Sequence, residues 1–415
     1  MMASRLPAYA LFAAFLASAG LPLYIHAPKF YVDEYNVSLS ALGSALFVLR
    51  LLDVVQDPLL GRLADRMRAW RGASALLAGS LMAAAMLGLF AIEPFFHPLW
   101  WFVVMLTVVF SCFSYLTICF YAQGVAKAAR FQDKGHLRLA RWRETGALLG
   151  ICAAAVAPVA LGGYGWFAVA FAILACAALW VMRPEWQASP LESAGFAPVL
   201  QDRIARRLLI VALVNAAPVA VSSTLFLYFV ESRLQAPGWE GPFLLLFFMS
   251  AALAAPVWGR MAERFGAKPV LLGAMVLSIV AFASAVLLDA GDLWPFAVIC
   301  IASGAAIGAD MTLLPALFAA RLEKVSPGAS EGFGLWSFVS KFTLALAAVV
   351  LLPTLEFGGF KAGQDNPEHA LMLLSYLYAG VPCFLKLVAI ALLAAMKMNQ
   401  DIPDQPGFVE RRLNQ

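Results

Sequence analysis

Charge is what this sequence has least of. Of 415 residues, 13% are Asp, Glu, Lys or Arg, while 62% are hydrophobic and the mean hydropathy is +0.82. An ordinary soluble globule carries about a quarter charged residues, so the bulk of the chain cannot be a water-facing domain. Histidine is scarce as well. His26, His97, His136 and His369 stand far apart near span ends or in loops, with no His-Glu-x-x-His pair and no Walker A sequence. An intramembrane enzyme therefore lacks the clustered groups its chemistry needs, and the chain is read as a non-enzyme. The six cysteines, Cys112, Cys119, Cys152, Cys176, Cys300 and Cys383, include no Cys-x-x-Cys pair. All lie in apolar segments and read as small buried side chains rather than as disulfides or metal ligands.

What is present is a succession of apolar segments. At roughly 20 residues per span with short links, the length accommodates about twelve. The expected spans begin with 7–30 and 39–63 and end with 369–396. The first imitates a secretory leader, with Arg5 before an apolar run and small residues around Ala17. Its apolar character continues through Leu21-Pro22-Leu23-Tyr24-Ile25, so it is read as a span. Twelve spans put both termini on one side. With the N-terminus in the cytoplasm, basic clusters at 62–71, 127–141, 203–207, 260–268 and 321–324 fall inside, and Lys29, Arg233 and Lys361 are left outside. This bias predicts cytoplasmic termini. It also accounts for the basic run from Lys127 to Arg143 without a nucleic-acid partner.

An internal repeat divides the chain. Pro58-Leu-Leu-Gly61-Arg62-Leu-Ala64-Asp65-Arg66 returns 198 residues later as Pro256-Val-Trp-Gly259-Arg260-Met-Ala262-Glu263-Arg264. Each copy falls at the expected cytoplasmic end of the second span of a half. Two six-helix halves related in this way resemble the major facilitator architecture, in which one half rocks against the other around a central site. The expected fold is therefore an all-α polytopic membrane protein of that type. It comprises an N-terminal half over 1–183, a cytoplasmic connecting loop over 184–206, a C-terminal half over 207–398 and a polar tail over 399–415. Gly61, Asp65, Arg66, Gly259, Glu263 and Arg264 form its conformational-switch motif.

The same offset isolates what is not scaffold. Arg50, Asp53 and Asp57, spaced by three and four, share one face of span 2, whereas their counterparts are Phe248, Ala251 and Ala255. A mid-membrane charge costs about 2.5–3.5 kcal/mol on insertion scales, which makes such residues functional candidates. Lys341 in span 11 lies at a comparable depth, and Arg143 is expected to open span 5. Asp310 and Lys386 are further interior charges. The set forms either a static lock between the halves or a site in which the acids bind Na⁺ or H⁺ while Lys341 changes partners. Tyr115, Tyr121 and Trp336 are aromatic candidates for substrate contact. Gly146-x-x-x-Gly150 and Gly304-x-x-x-Gly308 offer smooth faces for close helix packing.

At Arg50-x-x-Asp53-x-x-x-Asp57-Pro58-x-x-Gly61-x-x-x-Asp65 the chain resembles the glycoside-pentoside-hexuronide:cation symporters, the family of the melibiose permease. Ser337-Phe-Val-Ser-Lys341-Phe-Thr resembles that family's span 11. The resemblance implies a secondary active transporter, a symporter of a sugar or glycoside-like solute driven by H⁺ or Na⁺. It makes Asp53 and Asp57 cation ligands, with Na⁺ the one metal they would hold. It joins Lys341 to their network and puts Arg143 near the substrate; Arg50 and Tyr121 are the further candidates for the same substrate and coupling network. Two departures stand out. Ala13 to Gly20 of span 1 carries no carboxylate where the melibiose-type members have a sugar-binding acid, and Thr117, a cation-binding candidate whose hydroxyl can ligate Na⁺ but cannot titrate, stands where they have a third acid in span 4. The vertebrate lysolipid symporters share the span 2 acids and the span 11 lysine, so an amphiphilic lipid is the alternative substrate. A non-transporting receptor or scaffold is the alternative of another class. No cofactor beyond the coupling ion is implied. The expected setting is a monomer in a bacterial inner membrane.

Overall fold

The computed structural model describes residues 5–131, 134–186, 195–326, 329–361 and 366–396. The polar tail expected over 399–415 and part of the connecting loop lie outside them. The described chain is helical. Span 1 is two helices, α1 (Leu6–Ser18) and α2 (Leu21–Tyr35), where the sequence predicts one. The break falls at Ala19-Gly20, just before Pro22, whose ring cannot donate a backbone hydrogen bond. Span 2 is α3 (Leu39–Arg66), begun by Ser38, whose hydroxyl accepts from Ala41 N at 3.3 Å. Then follow α4 (Arg71–Phe90), α5 (Pro98–Ala128), α6 (Gly135–Ala160) and α7 (Tyr164–Met182).

After the short α8 (Ala197–Gln201), the second half begins with α9 (Arg203–Tyr228), which runs into a π-helical turn at Phe229–Arg233. It continues with α10 (Glu240–Phe265), α11 (Ala267–Ser284), α12 (Leu293–Val325) and α13 (Ser330–Phe357). The last span joins α14 (Glu368–Ser375) to α15 (Val381–Ala394) through a second π-helical turn. Among the described residues ten helices are long and apolar enough to cross a membrane. The interrupted α1–α2 pair and α3, with charges through its middle, complete the twelve.

Small residues set the packing inside each half. A Cβ on Gly146 or Gly150 would collide with the backbone carbonyls of Ala10 and Ala14, so α6 lies directly on α1. Gly304 and Gly308 admit Phe247 and Ala251 of α10 to α12 in the same way. Close approach of this kind replaces the hydrophobic drive that lipid does not supply. Between the halves, α3 packs on α13 and α6 on α10.

The two ends of the bundle differ. One apolar cluster runs through the first half and continues into the parts of α9, α11, α12, α13 and α15 nearest the basic repeat turns, which we call the basic end. A second cluster, around Phe229, Phe296, Leu351 and Tyr378, consists of second-half residues alone and fills the opposite end. The halves thus share a core at the basic end and keep separate cores at the other. Gly61 marks the closed contact, since a Cβ there would lie 3.2 Å from Gly334 Cα.

Candidate functional site

Three helices converge on one ammonium group. Asp53 and Asp57 lie one turn apart on α3, 7% and 0% exposed. Lys341 reaches them from α13 in the other half, with Nζ 2.7 Å from Asp53 Oδ1 and 3.1 Å from Asp57 Oδ1. Ser114 of α5 completes the ring: its hydroxyl donates to Asp53 Oδ1 at 3.0 Å and lies 2.6 Å from Lys341 Nζ. Gln56 donates to the same carboxylate oxygen at 3.1 Å and accepts from Ser111 at 2.9 Å. With both acids ionised and the lysine charged, the centre carries one net negative charge. An ammonium shared by two carboxylates at the boundary of two bodies can be displaced by a second cation, because hydrogen-bonded oxygens remain to receive it.

The hydroxyl that reaches Asp53 and Lys341 is that of Ser114, while Thr117 is the one expected to join the acids in binding a cation. Both lie on one face of α5, three residues apart, and the Thr117 hydroxyl is buried without a hydrogen-bond partner. The stripe Ser111-x-x-Ser114-x-x-Thr117 was visible in the sequence, but alignment alone does not tell which hydroxyl meets α3. Arg50 is half-buried one turn from Asp53; Lys341, Ser114 and Gln56 contact Asp53, and Lys341 and Ser337 contact Asp57. Among the described residues no three His, Cys, Asp or Glu side chains gather as a metal site.

A second group forms on α6. Arg143 is not at the mouth of span 5, as expected, but two turns inside α6, because the helix begins at Gly135. It is buried, donates to Glu144 Oε1 at 2.6 Å and lies 3.7 Å over the Tyr121 ring. The Tyr121 hydroxyl donates to the same Glu144 oxygen at 3.1 Å, and its ring meets Phe333 of the second half at 5.0 Å. Glu144 escaped the sequence reading because its arginine is the adjacent residue, a spacing that ordinarily points side chains apart on a helix. Tyr115 is a core residue bonded to Ser74 at 2.7 Å, and Trp336 stacks on Phe318 at 4.9 Å, so both candidates for substrate contact have packing roles.

The repeat residues meet at the basic end without repeating their contacts. Asp65 stays within its half, 3.9 Å from Arg68. Glu263 crosses the interface to Arg141 at 3.1 Å, and the Arg141 stem lies over Gly259. Arg66 and Arg264 are exposed, one position round the helix from the inward acids. His136 with Glu323 at 2.5 Å and Arg71 with Ser330 at 3.3 Å add further bridges between the halves. Beside them Arg321 of α12 holds Asp202, the cap of α9, at 2.9 and 2.5 Å. These bonds keep the Asp202 carboxyl below the usual carboxylate range.

The architecture is shared with solved transporters. A bacterial homologue of the iron transporter ferroportin, in an outward-facing state, superposes with a TM-score of 0.68 at 12% identity, covering 94% of this chain and 100% of that one. A bacterial homologue of the iron transporter ferroportin in an outward-facing state with soaked iron gives 0.65 at 14% identity, over 94% and 99%. The human organic anion transporter MFSD10 (TETRAN) gives 0.60 at 17% identity, over 94% and 98%. At such identities the likeness is one of fold. Comparison with curated protein sequences gives no match. A family model described as MFS/sugar transport protein matches residues 7–400, nearly the whole chain, and the protein belongs to that family of membrane transporters.

Proposed function

We propose that the protein is a cation-coupled symporter, with Asp53, Asp57 and Ser114 as the ion-binding oxygens and Lys341 as the resident positive charge that the ion replaces. One observation carries the reading. The lysine belongs to one half and both acids to the other, so its bonds hold the basic end closed and must break when that end opens. Na⁺ suits two carboxylates and a hydroxyl, and H⁺ needs one carboxylate, so the site can serve either ion. In this scheme the basic end faces the cytoplasm of a bacterial inner membrane with both termini, and the closed basic end corresponds to an outward-open resting monomer. The halves meet across the linker between residues 183 and 207.

The substrate proposed first is a sugar or glycoside-like solute, in keeping with the family description and with the Arg143–Tyr121 pair beside the interface. An amphiphilic lipid is the second reading, and α1 favours it. No carboxylate lies between Ala13 and Gly20, and the Ser18 hydroxyl is engaged by the carbonyls of Ala14 and Gly150. A sugar would find few hydrogen-bond partners there, while an acyl chain needs none.

Reconstitution in liposomes tests the proposal. Uptake of a panel of glycosides and lysolipids is measured with an imposed Na⁺ or H⁺ gradient and without one. Acceleration by one gradient, lost in Asp53→Asn with Asp57→Asn, is expected. Uptake indifferent to both gradients would remove the coupling.

A further inference from the structure

Two ion pairs tie α6 to the second half at the basic end, and they differ in kind. Arg141 holds Glu263 of α10 at 3.1 Å, and His136 Nε2 lies 2.5 Å from Glu323 Oε2 of α12. The first joins groups of the kind that keep their charge near neutral pH. The second is an ion pair only while the imidazole carries a proton, and an imidazole ordinarily gains or loses it between about pH 5 and 8. By the offset of the repeat turns, His136 and Glu323 correspond to Gly334 and Val125, so the pair is not shared scaffold.

The helix ends favour the bridge. His136 lies in the first turn of α6 and Glu323 in the last turn of α12. A cation is disfavoured at a helix N-terminus and an acid at a C-terminus, so each charge is misplaced on its own helix. With the halves together, the imidazolium meets the C-terminal end of α12 and the carboxylate the N-terminal end of α6, each of them the complementary pole. Separation returns both to the wrong poles. The side chains are 14% and 40% exposed, so protons from the aqueous phase reach the pair directly.

The surrounding charges are of other types. Lys134 and Arg138 flank the pair on α6, and Lys324 follows it on α12. On the elements packed against these two helices, Lys127 is held by Glu185, Arg321 holds Asp202, and Lys268 is bonded to the carbonyls of Ala394 and Met396. Arg5, Arg130, Arg203, Arg260 and Arg264 are permanent cations of the same end. Lys386, deeper in the second half, is bonded to Asp310 and Asn215. Of the four histidines, His136 alone lies at the basic end.

We propose that the His136–Glu323 pair is a proton-operated latch on the basic end. With the imidazole charged, the pair adds to Arg141–Glu263 and holds α6 against the second half. With it neutral, only the permanent pair remains and the end parts more readily. The sense of the control in a cell rests on the orientation proposed above: with the basic end in the cytoplasm, an acid cytoplasm keeps the transporter closed to that side.

Spin-label distances between Ala129→Cys in the first half and Phe265→Cys in the second, both exposed, test the latch. The full chain is measured in nanodiscs with its native cysteines replaced by alanine. It also carries Asp53→Asn and Asp57→Asn, so that the coupling acids contribute no pH response. Between about pH 5.5 and about pH 8 the ratio of open to closed distances should rise about 2- to 5-fold, the size a partly exposed ion pair supports. His136→Gln should remove the slope and hold the ratio at its alkaline level, while His136→Arg should hold it at the acid level. Glu323→Gln, at the more exposed partner, should flatten the slope too and serves should the histidine variants fail to fold. A ratio that ignores pH, or a slope that survives in His136→Gln or Glu323→Gln, overturns the latch. Gradient-independent uptake would strike the coupling at Asp53 and Asp57 and leave these distances as they are.

Discussion

Two lysines sit deep in this bundle, and they differ in what they join. Lys341 ties α13 of one half to α3 of the other and is shared by two acids and a hydroxyl. Lys386 ties α15 to α9 and α12 inside a single half and is shared by one acid and an amide. The chemistry of the contact is the same, an ammonium on a buried carboxylate. Its consequence depends on whether the two ends move apart. A pair across a boundary that opens can serve as a switch, while a pair inside one body ties that body's helices together.

The largest expected effect breaks the first pair. Asp53→Asn with Asp57→Asn should reduce gradient-driven accumulation by on the order of 10²-fold, about 2.8 kcal/mol, with cation-independent exchange less affected. Liposome uptake with and without the gradient measures it. Next comes a direct contrast between the lysines. Lys386→Met strands a buried carboxylate and should cost about 3–5 kcal/mol in thermal or chemical denaturation. Lys341→Met should cost less, because its side chain is 17% exposed and, in the proposed scheme, Na⁺ takes its place between the acids. Added Na⁺ should raise the melting temperature of Lys341→Met and leave that of Lys386→Met unchanged. Equal responses would erase the distinction.

Two glycines sharpen it further. Gly146→Val drives a side chain into the Ala10 backbone within one half, and overpacking of this kind costs about 1–3 kcal/mol of stability. Gly61→Ala meets Gly334 across the boundary, so it should leave the melting temperature nearly unchanged and favour the state in which the basic end is open. Alkylation of a Ser330→Cys reporter, faster in the Gly61→Ala background, would record that shift. The smallest effect is at the edge of the second half. Asp202→Ala removes a helix cap and the Arg321 partner, at about 1 kcal/mol. Because the Asp202 carboxyl is held low, its contribution is present above the ordinary carboxylate pKa and fades as pH falls through the depressed value. Melting curves of wild type and variant should therefore converge in acid.

The fold was legible because lipid imposes long apolar helices, and a repeat such as Pro58–Arg66 with Pro256–Arg264 reports the halves directly. The site was legible in part. Asp53, Asp57 and Lys341 are charges where charges are costly, so their burial together follows from physics as much as from resemblance. Ser114 and Glu144 were missed because short polar side chains are common on transmembrane helices, and only the helix rotation selects the one that faces the acid. The break at Ala19-Gly20 escaped because hydropathy carries no record of backbone direction. Likewise the asymmetric use of Asp65 and Glu263 cannot be read from a repeat in which both are acids.

That asymmetry makes the two closing contacts at the basic end unequal as joints. At Gly61 and Gly334 two bare backbones touch, so separating them exposes close-packed atoms all at once. At Gly259 the contact is the aliphatic stem of Arg141, whose head is paired to the half-buried Glu263, and a single side-chain rotation releases it. A door of this construction opens from its latch towards its pin: α6 and α10 should part before α3 and α13, an order that spin-label distances across the two contacts would resolve.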